Sequence, residues 1–352
     1  MDRWKDLFYQ ELYHTCIPTR INNTNMLTVE SYRNQLFDCL YVIFQIVFTY
    51  CITAIALILR GDSNIQLQLA AKFGKSPKCL KKKVVWITGA SSGIGESLAY
   101  ELATAGCRLI LSDINPELEI VKQKCIDIGG LNPDDVMAIH LDMVAFGTHQ
   151  SAVDEVMSKF GKIDILVNNA GRGQVGNWYK TSLEVYQQLL NVNVVGVLSL
   201  TKRVLPHMIK RNEGHIVNTS SIAGKLGLFR GGAYAGTKHA IQGWFDSLRL
   251  ELDGTGISVT NVCPGYVFTN LLDTAFTENP NEKLKMEFNP RKCMSTKRCA
   301  QLYAIAIANK MAEVWISSSP DLLLLYLNVY FPVVGKFLRR TTVWWHLYQG
   351  GN

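Results

Sequence analysis

The sequence predicts a doubly wound α/β fold, with a mostly parallel seven-stranded sheet that follows a single membrane-spanning helix. Three observations lead to this prediction: short β-rich runs alternate with amphipathic stretches from residue 83 onward, a glycine-rich turn follows the first run, and an uncharged apolar segment ends just before residue 60. Alternation of strands and helices produces a parallel sheet that is covered by helices on both faces.

The composition limits the classes of protein to which the chain can belong. The chain has 352 residues and is 48% hydrophobic, which is enough for a large buried core. Its net charge is +7, yet no basic array interleaved with aromatic residues occurs, so we expect no nucleic-acid partner. The nine cysteines form no C-x-x-C pair and the seven histidines have no ligand spacing. The sequence therefore predicts neither a metal site nor a disulfide framework.

The uncharged segment at residues 40–59 has the length of a helix that crosses a membrane. It lies too far inside the chain, and is too long, for a signal peptide. A buried core helix is the other alternative, but such a helix is seldom apolar on every side. More cations follow the segment than precede it, beginning with Arg60, which favours a cytosolic C-terminal side. We expect a single-pass protein of the endoplasmic reticulum membrane.

Shifts in composition divide the chain into five segments. The lysines before residue 83 predict a solvated linker, or alternatively a contact with an anionic membrane face. Near the C-terminus, residues 322–334 are apolar but too few for an ordinary span, so they dip into the membrane, border an apolar entrance, or pack against the last helix or another subunit. The expected segments are an N-terminal segment (1–35), a transmembrane anchor (36–60), a linker (61–82), an α/β domain (83–320) and an apolar tail (321–352).

The strands of the α/β domain are predicted from short runs rich in β-branched and aromatic residues. Between them, apolar residues such as Ile94, Leu98 and Leu102 recur at helical spacing. The seven predicted strands are 84–88, 108–112, 136–141, 163–167, 216–218, 258–262 and 314–316.

The first predicted strand runs directly into a turn that contains three glycines. Backbone amides at the start of the following helix can meet a pyrophosphate, and glycine leaves room for that approach. The spacing departs from the G-x-G-x-x-G fingerprint, and an ordinary turn between a strand and a helix is the alternative. With the alternating elements that follow, the turn predicts a Rossmann fold. The predicted cofactor contacts in it are Gly89, Ser91, Ser92, Gly93, Ile94 and Gly95.

Two aspartates follow predicted strands at the same edge of the sheet. Asp113 follows the second strand, close to the roughly 20-residue interval at which a carboxylate binds the adenosine ribose of a dinucleotide. Because a carboxylate there would repel a 2′-phosphate, the sequence predicts NAD in preference to NADP, although Asp113 also fits a turn cap. Asp142, after the third strand, is predicted at the adenine edge, with loop capping as its alternative.

A phenol and an ammonium stand four residues apart in the segment 234–238, which reads YAGTK. Such positions share one face of a helix, so the charge of Lys238 can act on the Tyr234 oxygen and favour the phenolate. Ser221 lies thirteen residues before Tyr234. A phenol with a lowered pKa can exchange the hydroxyl proton of an alcohol while hydride moves to or from a nicotinamide.

In combination, these motifs resemble the short-chain dehydrogenase/reductase family and, more narrowly, a membrane-bound branch that includes hydroxysteroid dehydrogenases. The turn at residues 88–95 looks like the family's cofactor loop, and Tyr234 with Lys238 looks like its active-site pair. Asp113 departs from NADP-preferring relatives, which place an arginine beside this position. The resemblance implies four catalytic residues, Asn193, Ser221, Tyr234 and Lys238. It also implies cofactor contacts at Asn169, Ala170, Gly171, Tyr234, Lys238, Pro264, Gly265 and Thr269.

The resemblance also implies what these residues do. Ser221 and Tyr234 contact the substrate oxygen, Lys238 binds the nicotinamide ribose, and Asn193 positions a water that relays protons. The expected activity is oxidation of an alcohol or reduction of a ketone, in a homodimer formed through the helices that carry Asn193 and Tyr234. The membrane segment favours a small lipophilic substrate such as a steroid, a retinoid or a fatty carbonyl. The alternative is a catalytically silent protein that binds the cofactor and regulates a membrane partner.

Overall fold

The computed structural model describes residues 29–282 and 293–349. The chain divides into two compact units, the first ending at Leu57 and the second beginning at Ile58. The second unit contains a seven-stranded sheet in which every neighbouring pair of strands is parallel. This confirms the predicted fold class.

The described part of the first unit belongs to helix α1 (Val29–Arg60), whose last residues lie in the second unit. Within α1, Leu36–Arg60 has a mean hydropathy of 2.4, and none of its most apolar window is buried. The core helix of a globular protein would be covered by other side chains, so an apolar helix exposed on all sides is a candidate membrane span. Cys39 in this helix is disulfide-bonded, a feature that the cysteine spacing does not reveal.

The sheet has the order β3-β2-β1-β4-β5-β6-β7, so the chain starts at the centre, builds one half outward and then crosses to build the other. The predicted strands are found with small shifts at their ends. β4 starts at Ile165 and not at residue 163; just before it, the Asp164 carboxylate, and not a backbone carbonyl, accepts the hydrogen bond from Val84 N at 2.8 Å. The strands are β1 (Val84–Thr88), β2 (Arg108–Asp113), β3 (Val136–His140), β4 (Ile165–Asn168), β5 (Gly214–Thr219), β6 (Ile257–Pro264) and β7 (Glu313–Ile316).

Helices cover both faces of the sheet, as the alternation of elements predicts. Successive side chains of a strand point to opposite faces. Accordingly, Val85 and Ile87 pack beneath α3, α4 and α9, whereas Val84 and Trp86 pack beneath α5, α7 and α8. The helices of the second unit are α2 (Ile65–Phe73), α3 (Gly93–Thr104), α4 (Leu118–Gly129), α5 (His149–Phe160), α6 (Leu183–Leu190), α7 (Gly196–Arg211), α8 (Gly232–Glu251), α9 (Thr296–Ala308), α10 (Asp321–Tyr330) and α11 (Pro332–Gln349).

The segment 61–82, predicted as a solvated linker, is packed onto the α/β domain. Leu67 of α2 is fully buried in the core cluster that α9 also joins. Asn64 N donates to Trp315 O at 2.9 Å, so the segment also lies along the outer strand β7. The lysines that suggested a solvated linker are exposed or nearly so, while Leu67 and Leu80 of this segment are buried in the core.

The tail begins with packed structure. Leu322 and Leu325 of α10 are fully buried in a cluster with Ile222, Cys263 and Trp315. Of the three interpretations considered for the tail, packing against the domain therefore describes the inner face of α10. The residues after 349 lie outside the part of the chain that the structure describes.

Candidate active site

The glycine turn joins β1 to α3 with backbone packed against backbone. Gly89 has φ +67°, a left-handed conformation that favours glycine. At Gly95, an added Cβ would lie 2.1 Å from the carbonyl oxygen of Gly89, closer than any side chain can approach. Ser92 precedes α3 without capping it through its side chain, so the first amides of the helix are left available to a ligand in the cleft.

Two side chains fasten this turn to the neighbouring strands. The Thr88 hydroxyl accepts hydrogen bonds from Asn169 N and Ala170 N, both at 3.0 Å. In return, the Asn169 amide donates to Thr88 O at 3.0 Å and to Gly89 O at 3.1 Å. Its oxygen accepts from the Thr219 hydroxyl at 3.2 Å. The ends of β1, β4 and β5 are thereby held in one fixed arrangement at the carboxyl edge of the sheet.

Asp113 lies beside the turn, where the sequence places it. One carboxylate oxygen accepts from Ser91 N at 3.1 Å and from the Ser91 hydroxyl at 2.8 Å. The other accepts from Ile114 N at 2.7 Å and Asn115 N at 3.2 Å. The carboxylate thus orders the glycine turn and caps its own loop while still lining the cleft. The turn-cap interpretation of Asp113 matches these contacts, and its contact with an adenosine ribose stays a prediction.

Asp142 lies further along the same edge. Its carboxylate accepts a hydrogen bond from Val144 N at 3.0 Å, which is the loop-capping geometry that the sequence offered as an alternative. Its main-chain oxygen is 3.2 Å from Nε2 of the buried His149. Since Asp142 also lines the cleft, the adenine-edge contact stays a prediction that this geometry permits.

The helix α8 places Tyr234 and Lys238 one turn apart on the wall of the cleft. The Ser221 side chain lies near the phenol of Tyr234. Lys238 Nζ lies 5.6 Å from the centre of the tyrosine ring and donates to Thr219 O at 2.8 Å. The Ser221 hydroxyl donates to Pro264 O at 3.2 Å and accepts from Ala223 N at 3.1 Å, which fixes its position beside the phenol.

The protein's own groups do not lower the pKa of the Tyr234 phenol in the way that its spacing from Lys238 suggests. Burial raises the pKa of Tyr234 to about 12, and the neighbouring Ser221 hydroxyl opposes that rise. Burial also lowers the pKa of Lys238 to about 8. Desolvation disfavours the charged form of each group, and it is the largest cause of both shifts. Tyr234 is therefore a neutral phenol at pH 7, suited to donate a proton.

Asn193 is held in a π-helical turn, Asn191–Val195, between α6 and α7. Its carboxamide accepts from Arg172 N at 2.8 Å and donates to Arg172 O at 2.9 Å and to the Thr237 hydroxyl at 3.1 Å. These contacts tie the end of β4 to the helix that carries Tyr234. The water-positioning role of Asn193 stays a prediction. In the structure, its side chain also holds Arg172 and Thr237 in position.

The cleft that these elements enclose has a volume of about 830 Å³. It runs from the glycine turn and Asp113 to Ser221, Tyr234 and Lys238. Two of the predicted site residues do not line it: Gly95 is buried beneath the turn, and Asn193 lies behind Gly171.

Sequence reasoning misses the residues that close the far end of the cleft. The Arg172 guanidinium donates to Thr274 O from Nη2 at 2.9 Å and stacks 3.7 Å from the centre of the Phe276 ring. Phe276 N in turn donates to Gly173 O at 3.0 Å. Arg172 directly follows the predicted Asn169-Ala170-Gly171 motif, so its place beside the cleft was predictable, but its partners about one hundred residues later were not.

Comparison with known proteins agrees with this geometry. The family model described as short chain dehydrogenase matches residues 83–280. Dehydrogenase/reductase SDR family member 7 of Mus musculus is 42% identical over 283 residues, covering 80% of this chain and 84% of that protein. The protein of the same name from Homo sapiens is 42% identical over 290 residues, covering 82% and 83%.

Solved structures share the fold. A short-chain dehydrogenase/reductase from Burkholderia phymatum in complex with NAD has a TM-score of 0.62 and 26% identity, covering 71% of this chain and 93% of its own. The alcohol dehydrogenase of the archaeon Thermococcus sibiricus, complexed with 5-hydroxy-NADP, has a TM-score of 0.59 and 25% identity, covering 68% and 97%. The chain belongs to the short-chain dehydrogenase/reductase family and is an NAD(P)-dependent oxidoreductase.

Proposed function

We propose that the chain is a membrane-anchored enzyme that transfers hydride between a nicotinamide cofactor and an alcohol or ketone group of a lipophilic substrate. The observation that carries this proposal is the contact between the phenol of Tyr234 and Ser221, with Lys238 one helical turn away. All three residues line the same cleft as the glycine turn. The catalytic domain is proposed to extend over residues 83–320, with residues 61–82 packed onto it.

Each of the four proposed catalytic side chains has its own role in proton transfer. A bound nicotinamide supplies or accepts the hydride. In the reduction, Tyr234 donates its proton to the carbonyl oxygen of the substrate, and in the oxidation it takes the proton back. Ser221 hydrogen-bonds the same oxygen and keeps it beside the phenol. Lys238 places a positive charge near the phenolate that forms, which stabilises it, and Asn193 positions the water that renews the proton.

The residues at the nucleotide end fit an NAD-type dinucleotide. The helix amides after Gly93 would meet the pyrophosphate, and the segment 169–171 with Pro264, Gly265 and Thr269 would surround the nicotinamide half. If Asp113 contacts the adenosine ribose, its carboxylate would repel a 2′-phosphate, and its neighbours along the cleft, Ile114 and Asn115, carry no positive charge that would bind one. We therefore propose that NAD(H) is used in preference to NADP(H).

The substrate end of the cleft favours an apolar molecule. Val267, Leu271 and Phe276 line it. On the following segment, Tyr266 and Phe268 are 51% and 55% exposed, so aromatic surface continues outward from the cleft. A steroid, a retinoid or a fatty carbonyl matches this lining, because apolar pockets bury most of a ligand's surface.

The proposed location is the endoplasmic reticulum membrane, with Leu36–Arg60 as the span and the catalytic domain in the cytosol. The cations that begin at Arg60 support this orientation, and protection of the domain from protease in sealed microsomes would contradict it. A homodimer through α7 and α8 is supported by exposed apolar side chains there, such as Trp244 and Leu250.

Nicotinamide absorbance with the purified full-length chain tests the proposal. Steroids, retinoids and simple carbonyls are supplied in turn with NADH or NADPH, alongside the Ser221→Ala and Asp113→Asn variants. We expect turnover with an apolar carbonyl, its loss in Ser221→Ala, and a preference for NADH that Asp113→Asn reduces about tenfold, since a charge pair near the surface is worth about 1–2 kcal/mol. Equal turnover in Ser221→Ala, or a clear preference for NADPH, would contradict the proposal.

A further inference from the structure

The outer face of the last two helices is apolar and exposed. Tyr330 at the end of α10 is 64% exposed, and Val333, Val334 and Phe337 of α11 are 81%, 47% and 65% exposed. The two valines lie four and three residues before Phe337, so the three side chains occupy one face of α11. A contiguous apolar surface of this kind marks a site of contact with a membrane or another protein.

The packing of the two helices keeps this face outward. Gly335 is buried at the crossing of α11 over α10, where an added Cβ would lie 2.5 Å from Asn328 Cα. The backbones therefore meet at Gly335, and the face with Val333 and Phe337 is directed away from that crossing. Arg339 Nη1 donates to Gly227 O at 3.2 Å, which fixes the orientation of α11 a turn later.

The end of the candidate membrane span is attached to the same part of the molecule. Ile58 belongs to the second unit and packs against the cluster of Trp315, Leu322 and Leu325 beneath α10. The Ser319 hydroxyl, just before α10, donates to Ile58 O at 2.8 Å. If Leu36–Arg60 spans the membrane, its last residues contact the start of α10.

Positive charge lies next to the apolar face. Lys336 and Arg340 are exposed and one turn apart on α11. Cations beside an exposed apolar helix face are the pattern of helices that lie in the interface of an anionic membrane. We propose that the outer face of α11, with Tyr330, lies on the membrane that the α1 span enters and inserts Val333, Val334 and Phe337 among the lipid headgroups.

The helices that carry this surface contact the segment that follows Ser221. Asn328 Nδ2 donates to Lys225 O at 3.4 Å, and Arg339 contacts Gly227, so α10 and α11 hold the segment that follows Ser221. If the substrate is lipophilic, which rests on the proposed function, the membrane contact brings the bilayer close to the mouth of the cleft. An apolar substrate would then reach Ser221 from the lipid with little exposure to water.

Photocrosslinking of the full-length chain in vesicles tests the contact without any catalytic readout. The variants Val333→p-benzoylphenylalanine and Ile120→p-benzoylphenylalanine are reconstituted in phosphatidylcholine vesicles with and without phosphatidylserine. Ile120 is the control, because it is 63% exposed on α4 at the opposite edge of the sheet. We expect lipid adducts at position 333, increased by phosphatidylserine, and few at position 120. Equal labelling at both positions, or adducts at 333 only to a second copy of the chain, would overturn the proposal.

The Phe337→Glu variant tests the supply of substrate, with Ile120→Glu as its matched control. In vesicles, we expect KM for a carbonyl dissolved in the bilayer to rise several-fold, while kcat/KM for a short water-soluble carbonyl stays unchanged. Unfolding temperatures near that of the parent chain show that the variant is folded. Unchanged KM in a folded Phe337→Glu protein would contradict the supply route. Absence of turnover in the parent chain would instead refute the proposed function, and the crosslinking result would still decide the membrane contact.

Discussion

The two ends of the cleft are built differently. At the nucleotide end, backbone lies against backbone: Gly95 is packed on Gly89 O, and Thr88 and Asn169 exchange hydrogen bonds with each other's main chain. At the substrate end, side chains hold segments that are far apart in sequence, as where Arg172 binds Thr274 O. Where backbone packs against backbone, few residue types can be accommodated. Where side chains make the contacts, residues can change and reshape the pocket without altering the sheet.

The chemistry is located where the two ends meet. Ser221, Tyr234 and Lys238 follow or adjoin the carboxyl end of β5, between the glycine turn and the segment that Arg172 holds. Ligands of open α/β sheets bind at this edge, where the strand order reverses. The nucleotide end therefore sets the cofactor geometry for the catalytic residues, and the substrate end sets which molecule reaches them.

The largest effect is expected from disturbing the nucleotide end at Gly95. In the Gly95→Ala variant the new Cβ would lie 2.1 Å from Gly89 O, where only backbone movement can relieve the clash. We expect a loss of about 3 kcal/mol in the free energy of unfolding, with no measurable binding of NADH. Chemical denaturation and nicotinamide fluorescence measure both.

Gly243→Ala is the matched control for that variant. Gly243 lies on α8 with nothing within 4 Å of an added Cβ, so its stability should change by no more than about 1 kcal/mol. A Gly95→Ala protein that binds NADH as well as Gly243→Ala does would show that the turn is less constrained than its backbone contacts indicate.

The next largest effect is expected at the junction of the two ends. Burial lowers the pKa of Lys238 to about 8, so the ammonium is present below that pH and is lost as the pH rises through it. We expect kcat/KM for carbonyl reduction to fall above about pH 8. Lys238→Met should lower turnover about 100-fold at pH 7 and remove the inflection from the pH profile.

Lys202→Met, on the exposed face of α7, serves as the control for this pH profile. It should retain both the rate and the inflection of the parent chain. Persistence of the inflection in Lys238→Met would assign it to another group and would separate Lys238 from the proton chemistry.

A smaller effect, confined to the substrate, is expected at Arg172. The Arg172→Gln variant loses the bonds to Thr274 O and the stacking on Phe276, so the segment that closes the cleft is held less firmly. We expect KM for the carbonyl substrate to rise about tenfold, equivalent to about 1.4 kcal/mol, with the affinity for NADH unchanged. Steady-state kinetics and NADH titration give the two values.

Arg203→Gln is the control for that comparison, because the hydrogen bonds from the Arg203 guanidinium to Ser199 stay within α7. It should leave KM unchanged. A fall in NADH affinity in Arg172→Gln would mean that the two ends of the cleft are coupled and not separate.

The difference between the two ends also explains what the sequence predicts well. The strand β1, the glycine turn and the spacing of Ser221, Tyr234 and Lys238 are local patterns, and the structure places all of them at one cleft. Strand ends shift by a residue or two where a side chain such as Asp164 takes over a backbone contact.

The local patterns do not predict features that depend on residues far apart in the sequence. Arg172 meets Thr274 about one hundred residues later, and Asn64 meets Trp315 after about 250 residues. The pKa of Tyr234 in the protein alone could not be read from the sequence either, because the spacing of Tyr234 and Lys238 reports their proximity but not the burial that dominates both groups.

The most direct test of the account compares cofactor binding and turnover in a single variant, Tyr234→Phe. This change removes the phenol oxygen and leaves the glycine turn, Lys238 and the ring in place. We predict that NADH binds with nearly the affinity of the parent chain, while single-turnover hydride transfer, followed by nicotinamide absorbance, slows about a thousandfold. Hydride transfer at close to the parental rate in Tyr234→Phe with NADH bound would contradict the assignment of Tyr234 as the acid and base.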